Sequence, residues 1–577
     1  MMSKKAFLAV MLPLTFSTAY ARTQLIPQAK LDLLLSSSNR SQFVLKNAKG
    51  TIIEKSASSL VTPENWFNLS PADGTEGVRS EEAYLIFTPK IPEEIIVAVV
   101  DSGVDVNHED LQGKIWINKG EIANNGIDDD KNGYVDDVFG WNFIGGSKGI
   151  ATMEKDDKLA NGYRLKKGDN QWQVDVDTLE LTREVGRMRS LKKNIEVNGE
   201  DFSTTQTAYL AQVEGQLDKL SANVKKVLKG WGIFKQRFES SSKIMKAAGL
   251  ATIDLESVRN FQTSEQNVLA AKKDLLELLS SGVDEGRISR VLTHYAAEYR
   301  TFDPDFDTRL VVGDNYTDLT EKNYGNNDVT GPDSSHGTHV SGIIAADRTN
   351  AIGIKGVATN VKIMVVRAVP NGDERDKDVA NAIRYAVDNG ARIINMSFGK
   401  DFSPYKKLVD AAVKYAESKG VLMVHAAGNA NANNDTEPNF PNRMNKTAGV
   451  EFTNWLEIGA STFEKGENLA ASFSNYGKKS VDLFAPGLDI LSTTPDNTYS
   501  SFSGTSMASP VTAGAAALVL SYDPKMQAPE LRSLLLDTSR RYPKLMVNKI
   551  GNSKVLFSSL STSGTIVDAF EAIKVLQ

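Results

Sequence analysis

"SFSGTSMASP", residues 501–510, carries hydroxyl side chains at half of its ten positions. Gly504 permits a tight bend. The following "VTAGAAALVL" is composed of small and apolar residues on every side, which predicts a buried helix. Because proline is tolerated in the first turn of a helix, we expect Pro510 to lie there. Ser506 is therefore predicted at the N-terminus of a buried helix, where free N–H groups and the helix dipole favour negative charge.

Two interpretations of Ser506 follow from this position. A hydroxyl at a helix N-terminus suits a nucleophilic attack that generates an oxyanion, but most serine-rich turns only cap a helix. A serine is inert at neutral pH unless a positioned base takes its proton. The choice therefore depends on whether the chain supplies a base and a carboxylate to orient it.

The candidate bases are histidines, of which the chain has five. His336 and His339 lie in "SSHGTHVSGIIAA", where a loop leads into a helix of small residues. Their spacing of three also raises the question of zinc, but no glutamate stands between them and no third ligand is evident. His294 falls in a helical region, and His425 ends a predicted buried strand. Taken alone, a single histidine in such a segment is more often structural than catalytic.

Two further polar groups follow predicted strands. In "IIVAVVDSGVD", Asp101 comes directly after an apolar run. The carboxyl ends of strands are where open α/β sheets gather ligands and catalytic groups. In "VLMVHAAGNA", Gly428 and Asn429 follow another strand, and the asparagine offers an amide donor of the kind that an oxyanion needs.

Four of these segments, taken in order, resemble a known family. "VAVVDSGVD", "HGTHVSG", "AAGN" and "SGTSMASP" are similar to the signature blocks of the subtilisin-like serine proteases (subtilases). The resemblance covers about residues 86–143 and 307–540. A long segment separates the aspartate block from the histidine block, as in secreted bacterial members that carry an insertion there.

The resemblance implies a role for each matching residue. Asp101 orients and supports the imidazole, His336 is the general base, Ser506 is the nucleophile and Asn429 stabilises the oxyanion. His339 corresponds to a structural histidine. "NMSFG" resembles the edge strand that pairs with the substrate main chain, which implies substrate contacts by Ser397, Phe398 and Gly399.

Calcium is the cofactor that the resemblance implies. "HEDL" and the later "RTNAIGIKGVA" are similar to a tight calcium site. The side-chain oxygens would come from Asp110 and Asn350, and the main-chain oxygens from Ile352 and Ile354. Ligation by oxygen alone suits calcium.

A second acidic segment, "NGIDDDKNGYVDD", has nearly the spacing of an EF-hand loop. The twelfth position of such a loop carries a bidentate glutamate, and here it is Phe139. A weak calcium loop and a solvated acidic turn both fit this pattern. The ligands of the calcium interpretation would be Asp128, Asp130, Asn132 and Asp136.

The whole chain has 577 residues, 41% of them hydrophobic, and a net charge of −6. This charge gives no electrostatic reason to expect nucleic acid or an anionic membrane surface as a partner. Lys4 and Lys5 precede a short apolar run that ends in "TAYA", a pattern typical of a signal peptide cleaved after Ala21. We therefore expect export to the periplasm or the medium, with no membrane association after cleavage. The chain has no cysteine and so no disulfide.

The distribution of β-branched and apolar residues along the chain predicts its domain organisation. Short β-branched runs alternate with helical stretches on either side of a central region, which predicts an α/β fold with a mostly parallel sheet. In the central region apolar residues recur at spacings of three and four, which predicts an inserted all-α subdomain. With the resemblance, the fold class is a subtilisin-like three-layer α/β fold plus this subdomain. The predicted segments are 1–21 (signal peptide), 22–85 (N-terminal region, with the length of a propeptide), 86–149 and 307–577 (catalytic domain), and 150–306 (helical insertion).

Two functions of different classes are compatible with the sequence. The first is an exported serine endopeptidase that acts on protein or peptide substrates through an acyl-enzyme. The second is a catalytically silent, peptide-binding subtilase fold in which the helical insertion is the interaction module. The intact set of triad residues and oxyanion donor favours the first function.

Overall fold

A computed structural model describes residues 64–86, 92–146, 163–165, 172–174, 176–197, 203–550 and 553–577. The described residues form two compact units. Leu181–Phe306 form one, which we call the helical unit. The described residues up to Glu180 and from Asp307 onward form the other, which we call the sheet unit. The predicted signal peptide lies outside the described residues.

The strands are, in chain order, β1 (Ile95–Asp101), β2 (Gly140–Asn142), β3 (Tyr163–Leu165), β4 (Trp172–Val174), β5 (Val361–Arg367), β6 (Ile393–Met396), β7 (Leu422–Ala426), β8 (Met444–Asn445), β9 (Val450–Glu451), β10 (Trp455–Ser461), β11 (Leu483–Pro486), β12 (Ile490–Thr494), β13 (Thr498–Phe502), β14 (Arg540–Arg541), β15 (Met546–Ile550), β16 (Ser553–Leu556) and β17 (Thr565–Ile566).

The α-helices are α1 (Ser80–Leu85), α2 (Glu180–Val197), α3 (Thr204–Ala247), α4 (Leu255–Asn260), α5 (Gln266–Ser280), α6 (Glu285–Arg300), α7 (Arg309–Val312), α8 (Ser335–Ala345), α9 (Asp376–Asp388), α10 (Lys406–Ser418), α11 (Thr505–Tyr522), α12 (Ala528–Thr538) and α13 (Ala569–Lys574). Among the described residues, no helix combines the length and the apolar character needed to cross a bilayer.

A nine-stranded sheet organises the sheet unit, in the order β14-β17-β11-β10-β7-β6-β1-β5-β2. Every neighbouring pair is parallel except β14 and β17. The strands β1, β5 and β7 are buried on both faces along almost their whole length, as their apolar, largely β-branched runs predict. In β1, Val97 and Val99 pack into the core that also contains α8 and α11, while Ala98 and Val100 are buried on the opposite face. The α9 helix contacts β1 and β5. The predicted α/β fold with a mostly parallel sheet is confirmed.

The helix after "SFSGTSMASP" is buried along almost its whole length. All residues of α11 except Ser506 and Tyr522 are buried, as the small apolar composition of the helix predicts. The expectation that Pro510 lies in the first turn is wrong, because α11 begins at Thr505 and Pro510 is its sixth residue. Proline has no N–H to donate to the carbonyl four residues earlier, which here belongs to Ser506. Ser397 Oγ donates to that carbonyl instead, at 2.8 Å.

The helical unit is built on α3, a helix of 44 residues. The C-terminal half of α3 shares a buried core with α5, whose apolar residues recur at the predicted spacings. The core residues of α3 there are Phe234, Phe238 and Met245, and those of α5 are Val268, Ala271, Leu275 and Leu278.

The segment between residue 150 and the first long helix departs from the all-helical prediction. It contains the antiparallel hairpin of β3 and β4. Its strands contain aromatic and β-branched residues, which favour extended backbone. Among the described residues of this segment, the first helix begins at Glu180.

Residues 64–86 belong to the core of the sheet unit. Trp66 is 1% exposed and packs in the same apolar cluster as α11. Its indole Nε1 donates to the carbonyl of Leu488 at 3.1 Å. Further along, the Asn68 amide donates to Lys355 O at 2.7 Å, and the Tyr84 hydroxyl donates to Val357 O at 3.2 Å. This segment is therefore integrated with the sheet unit by both packing and hydrogen bonds.

The burial of Trp66 generates the first prediction. Trp66→Ala should lower the free energy of unfolding by about 3–5 kcal/mol, because it leaves a large cavity in the core. Urea-induced unfolding of the purified protein measures the change. Leu85→Ala, at an 83% exposed position of the same segment, is the control and should change stability by less than about 0.5 kcal/mol. Equal stability of the two variants would contradict the assignment of this segment to the core.

Candidate active site

Asp101 lies at the C-terminal end of β1, which stands between β5 and β6 in the sheet. The chain continues to opposite sides of β1 from here, and such a switch point is where open α/β sheets form their sites. The carboxylate is 2% exposed. Its Oδ1 accepts hydrogen bonds from His336 Nδ1 at 2.8 Å and from Ser102 N at 2.7 Å. The carboxylate therefore holds the imidazole by one nitrogen and is itself fixed by the backbone.

His336 is the second residue of α8, and a glycine brings this helix close to the end of β1. A Cβ at Gly337 would lie 2.1 Å from the carbonyl oxygen of Gly103, so only glycine permits this approach. Burial is the largest single effect on the pKa of His336 and lowers it, but the charge of Asp101, the hydrogen bond to Asp101 and the charge of Asp333 together outweigh burial and raise the pKa. With the Nδ1 proton donated to Asp101, the Nε2 of the neutral ring is the basic nitrogen.

Ser506 lies in the first turn of α11, in the same cleft as Asp101 and His336. Its Oγ donates to the carbonyl of Ser397 at 2.9 Å. The serine hydroxyl therefore donates its hydrogen bond to the loop after β6 and not to the imidazole. Catalytic hydrogen bonds often form only when substrate is bound, and rotation about the Cα–Cβ bond of Ser506 redirects its hydroxyl.

A buried chain of hydrogen bonds fixes the start of α11 against β6. Ser509 Oγ donates to Asn395 Oδ1 at 2.8 Å, and Asn395 Nδ2 donates to Ser397 Oγ at 2.9 Å. Ser397 Oγ in turn donates to the Ser506 carbonyl that Pro510 leaves free. Sequence reasoning missed Asn395, although it lies in the quoted "NMSFG" segment, because no local pattern marks a contact across 114 residues.

Asn429 presents an amide donor in the cleft. Its Oδ1 accepts from Thr505 N at 2.8 Å and from Thr505 Oγ1 at 2.9 Å. These two donors fix the orientation of the amide, so that Nδ2 is the group left for an oxyanion. Gly428 N donates to the same Thr505 hydroxyl at 3.0 Å, with Gly428 in the positive-φ region that favours glycine.

The segment predicted to contact substrate lines the same cleft. Ser397, Phe398 and Gly399 follow directly after β6. The description of this strand as an edge strand is wrong, because β6 lies inside the sheet between β7 and β1. The strand ends at Met396, and the next three residues follow the last paired position of the ladder.

The four residues of the predicted calcium site meet at one loop. Asp110 is fully buried, and its two oxygens accept from Asn350 Nδ2 at 2.8 Å and from Ile354 N at 2.9 Å. Among the described residues no lysine or arginine forms an ion pair with Asp110, and a buried carboxylate without a counter-charge is costly. A cation fits here once the Asn350 amide turns its oxygen toward Asp110, with Ile352 on the same loop.

The acidic loop brings together a different set from the predicted one. Carboxylate oxygens of Glu121, Asp128 and Asp130 lie within 4.8 Å of one another. Asp136 turns away and accepts from the backbone N–H groups of Asn125 and Gly126. The Asn132 side-chain oxygen accepts from Tyr134 N. Glu121 precedes the loop, so it is not among the ligand positions that EF-hand spacing predicts.

His339 is held as a structural residue. Its Nε2 lies 3.0 Å from the carbonyl oxygens of both Ile490 and Ser500, and its ring stacks on Phe502 at 4.2 Å. Burial lowers its pKa to about 3, so the ring is neutral at ordinary pH. In the described part of the chain, the set of grouped metal-ligating side chains contains no histidine.

Comparison with known proteins gives the family. Residues 93–557 match the model of the Subtilase family. The chain is 42% identical over 219 residues to "Thermophilic serine proteinase" of Bacillus sp. (strain AK1), which covers 38% of this chain and 49% of that protein. It is 41% identical over 217 residues to "Thermitase" of Thermoactinomyces vulgaris, covering 36% and 72% of the two chains. It is 37% identical over 207 residues to "Subtilisin Savinase" of Lederbergia lenta, covering 36% and 70%.

The aligned segment spans about half of the Bacillus relative, 49%, and 72% of thermitase. The family match extends across both parts of the α/β sequence and over the segment between them. It includes Asp101, His336, Asn429 and Ser506, which the fold gathers around one cleft. The resemblance predicted from the four sequence blocks is confirmed, and the chain belongs to the Subtilase family.

Proposed function

We propose that this protein is an exported serine endopeptidase that hydrolyses peptide bonds through an acyl-enzyme formed on Ser506. The observation that carries the proposal is the buried Asp101–His336 hydrogen bond in the cleft that also contains Ser506. An orienting carboxylate, a base and a hydroxyl are the parts that activate a serine. The fixed amide of Asn429 adds an oxyanion donor.

The reaction follows from these positions. The substrate main chain lies along Ser397–Gly399, and the Ser506 hydroxyl leaves the Ser397 carbonyl and turns toward His336. Its oxygen attacks the substrate carbonyl while Nε2 of His336 takes the proton, and Asp101 stabilises the resulting imidazolium. Asn429 Nδ2 donates to the oxyanion.

Collapse of this intermediate breaks the peptide bond. His336 gives its proton to the leaving amine, and Ser506 remains acylated. Water then repeats the attack on the ester with His336 as base, which releases the acid and restores the serine.

Ser506→Ala tests the chemistry. This change should lower kcat by about a million-fold, since the nucleophile and its base act as a unit. Hydrolysis of a peptide ester by the purified variants measures it. Ser501→Ala, at an exposed position of β13, is the control and should retain wild-type kcat. Hydrolysis by Ser506→Ala within tenfold of the wild type would contradict the proposal, whereas a wild type inert toward both ester and fluorophosphonate would favour the silent peptide-binding fold.

The pH dependence reports the charge environment of His336. Attack requires the neutral imidazole, so kcat/KM should rise with pH through the pKa of His336 in the free enzyme. Because Asp101 and Asp333 together outweigh the effect of burial, the midpoint should lie above the ordinary value for a histidine. Asp333→Asn removes a smaller contribution of the same sign and should move the midpoint to lower pH. A midpoint unchanged in this variant would contradict the stated cause.

Processing and export form a second part of the proposal. The pattern of residues 1–21 supports cleavage of a signal peptide after Ala21, with the mature protein in the periplasm or the medium. The packing of Trp66 supports a mature chain that retains residues 64–86, which limits a removable propeptide to residues 22–63. N-terminal sequencing of the purified protein tests this limit.

Calcium is proposed as a structural ion. Asp110 and Asn350 would hold it with side-chain oxygens, and Ile352 and Ile354 with carbonyl oxygens. The burial of Asp110 without an ion-pair partner supports this site. The ion would supply the missing counter-charge and tie the loop at Gly353 to the loop at Asp110, in a chain that has no disulfide.

Chelation tests the calcium proposal. Binding to the folded state alone stabilises it by about 2.7 kcal/mol when free calcium is one hundred times Kd. Excess chelator should therefore lower the melting temperature of the wild type. Asp110→Asn should melt lower than the wild type in calcium and should respond less to chelator. Asp218→Asn, at an exposed position of α3, is the control and should keep the response. A wild-type melting temperature that chelator leaves unchanged would contradict the site.

A further inference from the structure

One buried lysine of the sheet unit has no part in the mechanism above. Lys549, in β15, is 6% exposed, and among the described residues no aspartate or glutamate forms an ion pair with it. Its Nζ donates instead to three main-chain carbonyl oxygens, those of Ala471 at 3.0 Å, Ser472 at 3.2 Å and Ser474 at 2.6 Å. The protonated side chain has three N–H donors, one for each carbonyl. Lys549 therefore holds the loop 471–475, which follows β10, by the main chain.

An irregularity in the hairpin of β15 and β16 accompanies this contact. Asn548 and Ile550 have partners in the ladder, but Lys549 between them has none. An extra residue of this kind is a β-bulge, which bends its strand and re-aims its side chain. The local geometry of the hairpin thus accounts for a lysine that enters the protein interior.

The hydrogen bond to Ser474 is connected to the oxyanion donor through one peptide group. The Ser474 carbonyl and the Asn475 N–H belong to the same planar unit, so that fixing one fixes the other. This N–H donates to the carbonyl oxygen of Gly428 at 2.8 Å, and Gly428 directly precedes Asn429. Lys549 and Gly428 therefore hold opposite sides of this peptide group.

The side chain of Asn475 adds contacts on both sides of Asn429 in the chain. Asn475 is fully buried, and its Oδ1 accepts from Ala430 N at 2.8 Å. Its Nδ2 donates to the carbonyl oxygen of Ala427 at 3.0 Å. The backbone that flanks Asn429 is consequently held by a residue whose own peptide group is held by Lys549.

We propose that Lys549 is a positioning residue for the oxyanion donor Asn429. It fixes the loop 471–475, which in turn fixes the backbone around Asn429. The proposal rests on the proposed endopeptidase function. An oxyanion donor acts only at hydrogen-bond distance from the developing charge, so a small displacement of Asn429 lowers kcat. Because the bond to the oxyanion forms in the transition state and not in the bound substrate, KM should not change.

A double-mutant cycle tests the connection. Lys549→Met keeps an apolar side chain of similar length and removes the donors, and it should lower kcat on a peptide ester about tenfold with KM unchanged. Asn429→Ala alone should lower kcat by about 100- to 1000-fold, the cost of one oxyanion donor. In the Asn429→Ala background, Lys549→Met should lower kcat by less than about twofold, because the group that Lys549 positions is then absent.

A second lysine of the same hairpin provides the control. Lys554→Met, at an exposed position of β16, should leave kcat unchanged in both backgrounds. Titration to completion with a fluorophosphonate counts the competent Ser506 sites, so that loss of folding is separated from loss of rate. An unchanged kcat in Lys549→Met, an equal loss of kcat in the two backgrounds, or a rise of KM alone would overturn the proposal.

A second variant covers the case in which Lys549→Met yields no competent sites. Lys549→Gln keeps two N–H donors on a shorter side chain and takes its place in the cycle. Its loss of kcat should likewise depend on Asn429, and the same outcomes would overturn the proposal. A wild type that is labelled and active, with independent effects at 429 and 549, overturns only the role of Lys549. A wild type that is neither labelled nor active overturns the proposed function, and the role of Lys549 with it.

Discussion

The hydrogen bond from Ser397 Oγ to the carbonyl of Ser506 is the contact on which the site depends. Pro510 has no N–H to donate to that carbonyl. The carbonyl therefore accepts from Ser397, the residue that follows β6. A helix that would otherwise satisfy its own backbone is thereby tied to the strand whose extension is the proposed substrate-binding segment. Asn395 and Ser509 also connect the helix to this strand, through hydrogen bonds between side chains. The proposed nucleophile and the proposed substrate-binding segment are therefore positioned by the same strand.

The parallel sheet supplies the remaining geometry. β7, β6 and β1 are adjacent, and their carboxyl ends meet at one edge of the sheet. Asp101 and His336 are 235 residues apart in the chain, yet they are joined by a 2.8 Å hydrogen bond because Gly337 lets α8 approach the end of β1. The helical unit lies between them in sequence and folds around a core of its own. The chain can therefore carry a large insertion without disturbing the order of strands that builds the cleft.

Sequence reasoning succeeded where a feature has a local cause. The apolar run before Asp101 predicts a buried strand, and the small residues after Ser509 predict a buried helix, because burial on all sides leaves a pattern in the sequence. The roles of the triad came from the resemblance to subtilases. The position of Pro510, the partner atoms of Asn395 and the approach of Glu121 to the acidic loop could not be predicted. Each of these depends on a contact made by tertiary packing, and no local spacing encodes it.

In the proposed mechanism, Ser506 leaves the Ser397 carbonyl to react, and Asn429 Nδ2 donates a hydrogen bond to the developing oxyanion. The most direct test is a crystal structure of the protein after reaction with a peptidyl fluorophosphonate, in which the serine oxygen displaces fluoride from phosphorus. Phosphorus should be bonded to Ser506 Oγ, this oxygen should no longer contact Ser397, and a phosphonyl oxygen should accept a hydrogen bond from Asn429 Nδ2. A fully labelled protein with the adduct on another residue, or with the phosphonyl oxygens turned away from Asn429, would contradict it.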